Sequence, residues 1–181
     1  MNRSLSKLRS GRLLILMATL LSASSLSAAS LTISSPAIRD GGRIPSVFTC
    51  RGSDKSPPLA WSGVPDGTKT LAIVVEDPDA PGGIFIHWVA FNIPANSSGL
   101  EEGVPNRSEL PSGGTQGVNS FGRVGYGGPC PPPGPAHHYH FRLFALDETL
   151  PLGPDATAGR LMQAMQSHVS ASADLVGIFG R

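Results

Sequence analysis

Histidine, tyrosine and aspartate side chains are grouped in two short segments of the chain, and these residue types could bind a small polar ligand. The first segment, residues 125–144, joins a glycine- and proline-rich loop to a strand-like run that contains His137 and Tyr139. Because successive side chains of a strand point to opposite faces, His137 and Tyr139 share one face, and His138 and His140 take the other. A pocket at the loop end of this strand would therefore receive one histidine and one tyrosine.

The second segment follows a branched apolar run and reads Asp-Pro-Asp-Ala-Pro from Asp77 onward. Its two prolines stiffen the turn, so the carboxylates of Asp77 and Asp79 are displayed where the strand ends. His87 follows in the middle of a strongly apolar run, where alternation places it on one face with Val89 and Phe91. Burial alone would lower the pKa of His87, whereas Asp77 or Asp79 as a partner would oppose that shift.

Together these side chains predict a pocket rich in hydrogen-bond donors. The side chains of His87, His137 and Tyr139, together with glycine N–H groups of the loop, would suit a phosphate, sulfate or carboxylate. The two carboxylates would orient these donors or bind an amine or hydroxyl of the same ligand. An ordinary Asp-Pro turn and a core histidine are the alternative interpretation of the same residues.

Other site chemistries fit the sequence less well. The histidine cluster suggests zinc, but His137 and His138 point to opposite faces, and neither HExxH nor paired-cysteine spacing occurs. The Gly-x-Ser-x-Gly elbow of serine hydrolases is absent, and prolines after the glycine pair preclude the helix of a nucleotide fingerprint. We therefore predict no metal, no cofactor and no catalytic residue. A hydrolase using Asp77, His87 and His137 is the weaker alternative.

Short apolar runs between glycines and prolines must position these groups. Residues 70–76, 84–93 and 140–146 predict strands, and the first two are apolar on both faces, as interior strands are. Residues 31–33 and 46–49 are weaker strand candidates. Strands at this spacing, divided by turn residues, predict an all-β sandwich or barrel.

One helix and a last strand, residues 174–180, are predicted near the C terminus. Asp155 can act as the N-cap of this helix, and apolar residues then recur along one face. Neither a repeat nor a dividing linker is present, so residues 30–181 should form a single domain. The recurring apolar residues are Ala158, Leu161, Met162, Met165 and Val169.

Residues 1–29 predict a bacterial Sec-type signal peptide. A basic start precedes a nine-residue, largely apolar run at 13–21, and small residues follow, with Ser27 and Ala29 at the −3 and −1 positions of a cleavage site. A membrane span needs about 20 apolar residues. We therefore expect a periplasmic or secreted protein without a stable membrane span after leader cleavage; an uncleaved anchor is the alternative.

The charge of the mature chain does not favour a nucleic-acid partner. The whole chain is formally +1, but four of its 14 basic residues lie in the predicted leader. The remainder carries 10 basic and 13 acidic residues, a formal charge of −3. A nucleic-acid footprint would require a clustered basic face, which this pattern lacks.

Two cysteines, Cys50 and Cys130, lie in the mature part. In an oxidising compartment a disulfide between them would close a long loop and hold the proline-rich segment against the start of the domain. Such a bridge requires Cα atoms within about 7 Å of each other. Two separate buried thiols are the alternative.

Several short motifs, in their order along residues 31–181, resemble the phosphatidylethanolamine-binding protein family, also called Raf kinase inhibitor-like proteins. The cysteine in GPCPP, together with FTCRG at 48–52, resembles the bacterial YbhB/YbcL branch. Two departures stand out, since His138 replaces the usual arginine and Ser120 replaces an acidic residue common in bacterial relatives. The motifs are DPDAP at 77–81, HW at 87–88, GYGGPCPPPG at 125–134 and HHYHF at 137–141.

The resemblance implies an all-β dominated fold, a β-sandwich of antiparallel sheets with a C-terminal helix and short peripheral helices. It also implies a small anion pocket and no cofactor. Eukaryotic members of the family bind phospholipid head groups, inhibit kinases and, in some cases, inhibit proteases, but fold and pocket do not by themselves transfer these partners to this chain. We therefore expect a non-enzymatic protein that binds a small anionic or phosphorylated ligand, with a kinase- or protease-inhibitor-like interaction module as the alternative. The family's pocket positions carry over onto Asp77, Asp79, His87, Gly128, Pro129, His137 and Tyr139.

Overall fold

The computed structural model describes Met1 and residues 30–180, so the predicted signal peptide lies, apart from Met1, outside the described residues. Nine strands and one α-helix occur in this part of the chain. The helix α1 spans Ala158–Met165 and separates the last two strands. The strands are β1 (Thr32–Ser34), β2 (Gly42–Arg43), β3 (Leu59–Ser62), β4 (Thr70–Asp77), β5 (Phe85–Pro94), β6 (Gly99–Leu100), β7 (Thr115–Gln116), β8 (His137–Leu146) and β9 (Val169–Phe179).

The strands form two sheets. The larger sheet has six strands in the order β2-β9-β8-β4-β5-β7, and the smaller has three in the order β1-β3-β6. All pairs are antiparallel except β2 with β9. The expected β-sandwich is therefore confirmed, and the two apolar runs that predicted interior strands are β4 and β5, each paired on both sides.

The main core lies between the two sheets, on what we call the inner face of the six-stranded sheet. Alternate residues of β4 and β8, such as Ile73, Val75 and Phe141, point into it. Trp61 of β3 and Ile33 of β1 meet them from the smaller sheet. This alternation of buried side chains is the period-two pattern that the sequence predicts for β8.

The outer face of the large sheet is covered in part by α1. Val74 and Phe144 of the sheet pack with Leu161 and Met165 of the helix in a second apolar cluster. The remaining outer face, along the start of β8, carries polar side chains. The face of the sheet that lies against α1 is thus separate from the face that borders the predicted pocket.

The helix begins later than the sequence predicts. Thr157, not Asp155, is the N-cap, because its side-chain oxygen accepts from the Arg160 N–H at 3.4 Å. Asp155 instead forms an ion pair with the Arg160 guanidinium at 2.6 Å. The helix also ends at Met165, so the prediction that Val169 continues its apolar face is wrong: Val169 is the exposed first residue of β9.

The weak strand predicted at residues 46–49 is a 3-10 turn, Ser46–Phe48. Pro45 lacks an N–H group for a strand ladder. Thr49 closes the turn, since both its N–H and its hydroxyl donate to the Ser46 carbonyl, at 3.0 and 2.8 Å. Local hydrogen bonds therefore replace the strand pairing that the branched residues suggested.

A β-bulge interrupts β5 at His87. Val75 of β4 lies opposite Trp88, whereas the next residue, Glu76, lies opposite Ile86. His87 is consequently left without a partner residue on β4. A bulge of this kind turns the side chain of the extra residue away from the simple alternation of the strand.

The bulge corrects the predicted face of His87. Val89 and Phe91 belong to the cluster on the outer face. His87 instead lies on the inner side, with its ring centroid 5.1 Å from that of Tyr139. The prediction that His87 shares a face with Val89 and Phe91 is therefore wrong, and the bulge brings His87 to the same side of the sheet as the β8 residues of the pocket.

Candidate functional site

A cavity of about 190 Å³ lies where β4, β5 and β8 meet the proline-rich loop. Its polar lining consists of Asp77, His87 and His137, one residue from each strand. All three are buried, with exposed fractions of 3%, 3% and 7%. The rest of the lining is mainly apolar: Ala80, Pro81, Phe85, Phe121, Cys130, Pro131 and Pro132.

Asp77 and His137 form a buried pair in this cavity. Asp77 ends β4 and His137 begins β8, and the antiparallel register of these strands brings them together. The Nδ1 atom of His137 lies 2.7 Å from Oδ2 of Asp77, and Oδ1 of Asp77 accepts from the Asp79 N–H at 2.9 Å. Since a carboxylate accepts, Nδ1 of His137 carries the proton, and Nε2 is the ring atom left for a ligand.

The sequence suggested Asp77 or Asp79 as the hydrogen-bond partner of His87, but the structure shows a different partner. Its Nδ1 donates to the Gly127 carbonyl at 2.6 Å, so neither Asp77 nor Asp79 is its hydrogen-bond partner. Aromatic rings of Phe85 and Tyr139 surround the imidazole, each with a centroid distance of 5.1 Å. Burial lowers the pKa of His87, although the Gly127 carbonyl and the Asp77 carboxylate oppose the shift. At neutral pH the imidazole is uncharged, and Nε2 is an acceptor.

Tyr139, a predicted pocket residue, is fully buried beside both histidines and does not line the cavity. Its ring stacks on that of His137, with centroids 6.4 Å apart and an interplanar angle of 21°. Its hydroxyl is buried and has no hydrogen-bond partner among the described residues. Burial and the nearby Asp77 carboxylate raise the pKa of Tyr139, which keeps the phenol protonated. A buried hydroxyl without a partner is uncommon and requires a functional or structural reason.

Asp79, a predicted pocket residue, does not line the cavity. Its Oδ2 accepts from the backbone N–H of His138 at 2.8 Å and from Nδ1 of the same residue at 2.7 Å. The hydrogen bond from His138 lowers the pKa of Asp79. Asp79 borders an adjoining groove, which it shares with His138 and with prolines of the loop.

The glycine N–H donors predicted for the pocket are occupied within the protein. Gly127 N–H donates to the carbonyl of His87 at 2.9 Å, and Gly128 N–H donates to Oδ1 of Asp54 at 2.7 Å. The Pro129 carbonyl accepts from the N–H of Cys50 at 3.1 Å. Gly128 and Pro129, both predicted pocket residues, therefore do not line the cavity and instead fasten the loop to the preceding part of the chain.

A disulfide reinforces this attachment. Cys50 and Cys130 are bonded, with their Cα atoms 5.4 Å apart. Both residues are exposed, and Cys130 lines the cavity. The buried hydroxyl of Tyr126 adds a hydrogen bond of 2.8 Å to the carbonyl of Phe48. The proline-rich wall is thus tied to residues 48–54 by a covalent bond and several hydrogen bonds.

Sequence reasoning missed an aromatic residue at the cavity mouth, Phe121. Its ring makes an edge contact with Phe85, with centroids 4.8 Å apart, and is 42% exposed. The Arg123 guanidinium lies 5.2 Å from the Phe121 centroid and bonds Asp54 at 2.9 Å. The only sign of this residue in the sequence is an aromatic side chain within a polar loop. Its edge contact with His87, with centroids 5.6 Å apart, depends on how the loop folds back over β5.

Comparison with protein families supports the resemblance seen in the sequence. A family model described as "Phosphatidylethanolamine-binding protein" matches residues 34–180. The UPF0098 protein of Methanothermobacter thermautotrophicus is 50% identical over 149 residues, which cover 82% of this chain and 98% of that protein. LppC of Mycobacterium tuberculosis, named as a candidate lipoprotein, is 45% identical over 149 residues, covering 82% of this chain and 71% of LppC.

Solved structures of members of the same family resemble the fold of this chain. YbcL of Escherichia coli, described as a member of the mammalian phosphatidylethanolamine-binding protein family, superimposes with a TM-score of 0.80 at 34% identity. A homologue of that family from Chlamydia trachomatis gives a TM-score of 0.78 at 36% identity. Each comparison covers 84% of this chain and 99% of the other.

Proposed function

Because the chain belongs to the phosphatidylethanolamine-binding protein family, we propose that it binds a small anionic or phosphorylated ligand in the cavity and catalyses no reaction. The observation that carries the proposal is the pair of buried histidines, His87 and His137, that line the cavity together. Each histidine uses Nδ1 within the protein and keeps Nε2 for another partner. A ligand oxygen in the cavity could meet both Nε2 atoms.

The Asp77–His137 pair can supply a hydrogen-bond donor for an anion. The carboxylate of Asp77 holds the proton on Nδ1, so a second proton on Nε2 of His137 would give an imidazolium that donates directly to an oxyanion. His87 is fixed by the Gly127 carbonyl and can accept from a protonated ligand oxygen or donate after taking up a proton. The site is thus preorganised on three strands rather than on loops.

The lining of the cavity favours binding over catalysis. Its residues within the described chain include no serine, threonine or free cysteine, and the sulfur of Cys130 is in a disulfide. The raised pKa of Tyr139 makes its phenol a poor nucleophile. We expect no turnover of p-nitrophenyl phosphate or p-nitrophenyl acetate; turnover that His137→Ala abolishes would establish the hydrolase alternative.

Calorimetric titration with inorganic phosphate and with phosphoethanolamine tests the binding proposal. We expect saturable binding, and a loss of tenfold or more in affinity for His137→Ala. His168→Ala is the matched control, because His168 also pairs with an aspartate, Asp147 at 2.9 Å, but lies outside the cavity. No binding of either ligand, or equal effects of the two substitutions, would refute the proposal.

We also propose that the protein is exported to the periplasm or secreted. The basic and apolar N-terminal pattern, an exposed disulfide and the lipoprotein name of one relative support export. In the part of the chain that the structure describes, no helix is long and apolar enough to cross a membrane. A native mass spectrum of protein purified from the periplasm and medium tests this proposal; a cytoplasmic protein that retains residues 1–29 would contradict it.

The alternative of a protein-interaction module rests on the apolar mouth of the cavity. Ile84, next to Phe85 of the cavity wall, is 62% exposed, and Phe121 is 42% exposed. Such residues are frequent in protein contacts. Phe121→Ala would separate the two functions. The variant should bind a target protein more weakly but keep most of its affinity for inorganic phosphate.

A further inference from the structure

The cavity has a charge balance that is unusual for a phosphate site. Its lining, as far as the structure describes the chain, contains no lysine or arginine and does contain the buried carboxylate of Asp77. A nearby arginine, Arg123, is engaged elsewhere, since its guanidinium bonds Asp54 and lies over the Phe121 ring. Sites for doubly charged phosphate usually provide guanidinium or ammonium groups, which neutralise both charges.

The imidazoles of the cavity cannot fully replace those missing cations at neutral pH. A charge on His137 would be offset by Asp77, its partner at 2.7 Å. His87 is buried, donates Nδ1 to a carbonyl, and has its pKa lowered by burial, so it contributes a neutral ring. The charged or titratable groups near His87 are Asp77 of β4, His137 and Tyr139 of β8, and Asp54 and Arg123 of the loops.

We infer that the cavity selects oxyanions that carry one negative charge and discriminates against doubly charged ones. The inference rests on the proposed function and specifies its ligand class: phosphodiesters, carboxylates and the monoanions of phosphomonoesters. A second negative charge would be buried close to Asp77 without a cation to compensate it. A singly charged ligand, by contrast, can accept from Nε2 of His137 when that nitrogen carries a proton and, where the ligand itself carries a proton, donate that proton to Nε2 of His87.

Dimethyl phosphate and methyl phosphate test this inference on the full chain. Dimethyl phosphate keeps one charge throughout the range pH 5–7.5, whereas a phosphomonoester loses its second proton near pH 6. Affinities of both should be measured by calorimetry at several pH values. The ratio of the two affinities at each pH cancels any effect of protein protonation that is common to both ligands. The ratio at pH 5, where both ligands carry one charge, gives the effect of the extra methyl group.

We expect similar affinities at pH 5 and a preference for dimethyl phosphate of roughly tenfold at pH 7, because only about one tenth of methyl phosphate then remains singly charged. A ratio that stays constant with pH, or a gain of methyl phosphate above pH 6, would overturn the inference while leaving the proposed function intact. If neither compound binds at any pH, the proposed function itself fails.

The substitution Asp77→Asn provides a second test of the inference, because it removes the buried charge and keeps the shape of the side chain. We expect the preference at pH 7 to fall severalfold in this variant. An unchanged preference would show that Asp77 is not the source of discrimination and would overturn the physical basis of the inference. Should this variant not fold, the pH series on the unaltered protein decides the question.

Discussion

Asp77 and His137 are separated by 60 residues in the chain, yet Nδ1 of His137 lies 2.7 Å from Oδ2 of Asp77 in a buried pair. The carboxylate also accepts from the Asp79 backbone N–H, which fixes its orientation. Because both groups are removed from water, each depends on the other for a hydrogen bond. The pair therefore contributes to stability as well as to the chemistry of the cavity.

Asp77→Ala should destabilise the fold by about 1–3 kcal/mol, because it leaves the buried Nδ1–H of His137 without its acceptor. Urea unfolding followed by far-ultraviolet circular dichroism measures the effect. Asp147→Ala is the matched control, since Asp147 pairs with His168 at an exposed position, and its cost should be below about 1 kcal/mol. Equal losses would show that burial of the Asp77 pair has no energetic role.

Removal of the disulfide should weaken both the fold and the cavity wall. The bond joins residues 80 positions apart, and closing a loop of this length stabilises a protein by about 2–5 kcal/mol. We expect Cys50→Ser with Cys130→Ser to lose stability in that range and to bind phosphate more weakly. Binding should weaken because Cys130 lines the cavity and its loop carries the Gly127 carbonyl that holds His87.

A reductant separates this effect from that of the substitutions themselves. Because the two cysteines are exposed, a phosphine reductant should destabilise the unaltered protein to a similar extent and leave the double variant unchanged. Unaltered stability and phosphate affinity after complete reduction would contradict the role assigned to the bond.

His87 should make the fold sensitive to acid. Its pKa in the folded protein is lowered, chiefly by burial, relative to about 6.5 in the unfolded chain. Below that pH the unfolded chain binds the proton more readily, so the contribution of His87 to stability is present at neutral pH and is lost as the pH falls. His87→Asn, whose amide can still donate to the Gly127 carbonyl, should lose less stability than the unaltered protein between pH 7 and pH 5.

Thermal unfolding at intervals of half a pH unit measures this difference. His168→Asn is the control for replacing a histidine with asparagine, because His168 is about one-third exposed and lies outside the cavity. A pH profile of His87→Asn that parallels the unaltered protein would show that another group causes the acid sensitivity.

Gly128→Ala should disturb the loop that walls the cavity. A Cβ atom at this position would collide with the Phe48 carbonyl and with the Asp54 carboxylate that holds the Gly128 N–H. We expect a loss of about 1–3 kcal/mol and weaker phosphate binding. Gly82→Ala is the control, since a Cβ there meets no atom within 4 Å, and its effect should stay within about 0.5 kcal/mol. Equal stabilities would mean that the loop shifts at no cost.

The period-two pattern of the sequence predicted the strands that carry the site and the shared face of His137 and Tyr139. These features depend on local geometry, because a strand alternates its side chains wherever it lies in the sheet. The buried β4 was likewise evident from its branched apolar residues. The family was evident from the order of short motifs, and the comparisons confirm it.

Which hydrogen bonds the predicted site residues make was decided by the tertiary structure. Asp79 bonds His138, and the Gly128 N–H bonds Asp54, so two expected pocket groups serve to hold loops instead. A strand pattern cannot show this, because a polar group takes the nearest suitable partner, and that partner lies 59 and 74 residues away in these two cases.

His87 gives the sharpest contrast between sequence and tertiary structure. The sequence identified it as a candidate ligand residue within an apolar strand, but alternation placed it on the wrong face. The bulge that turns it toward Tyr139 exists only in the pairing of β5 with β4. Composition and periodicity thus determined the strands and the residue types of the site, whereas register and loop packing, which depend on contacts between distant segments, determined the cavity.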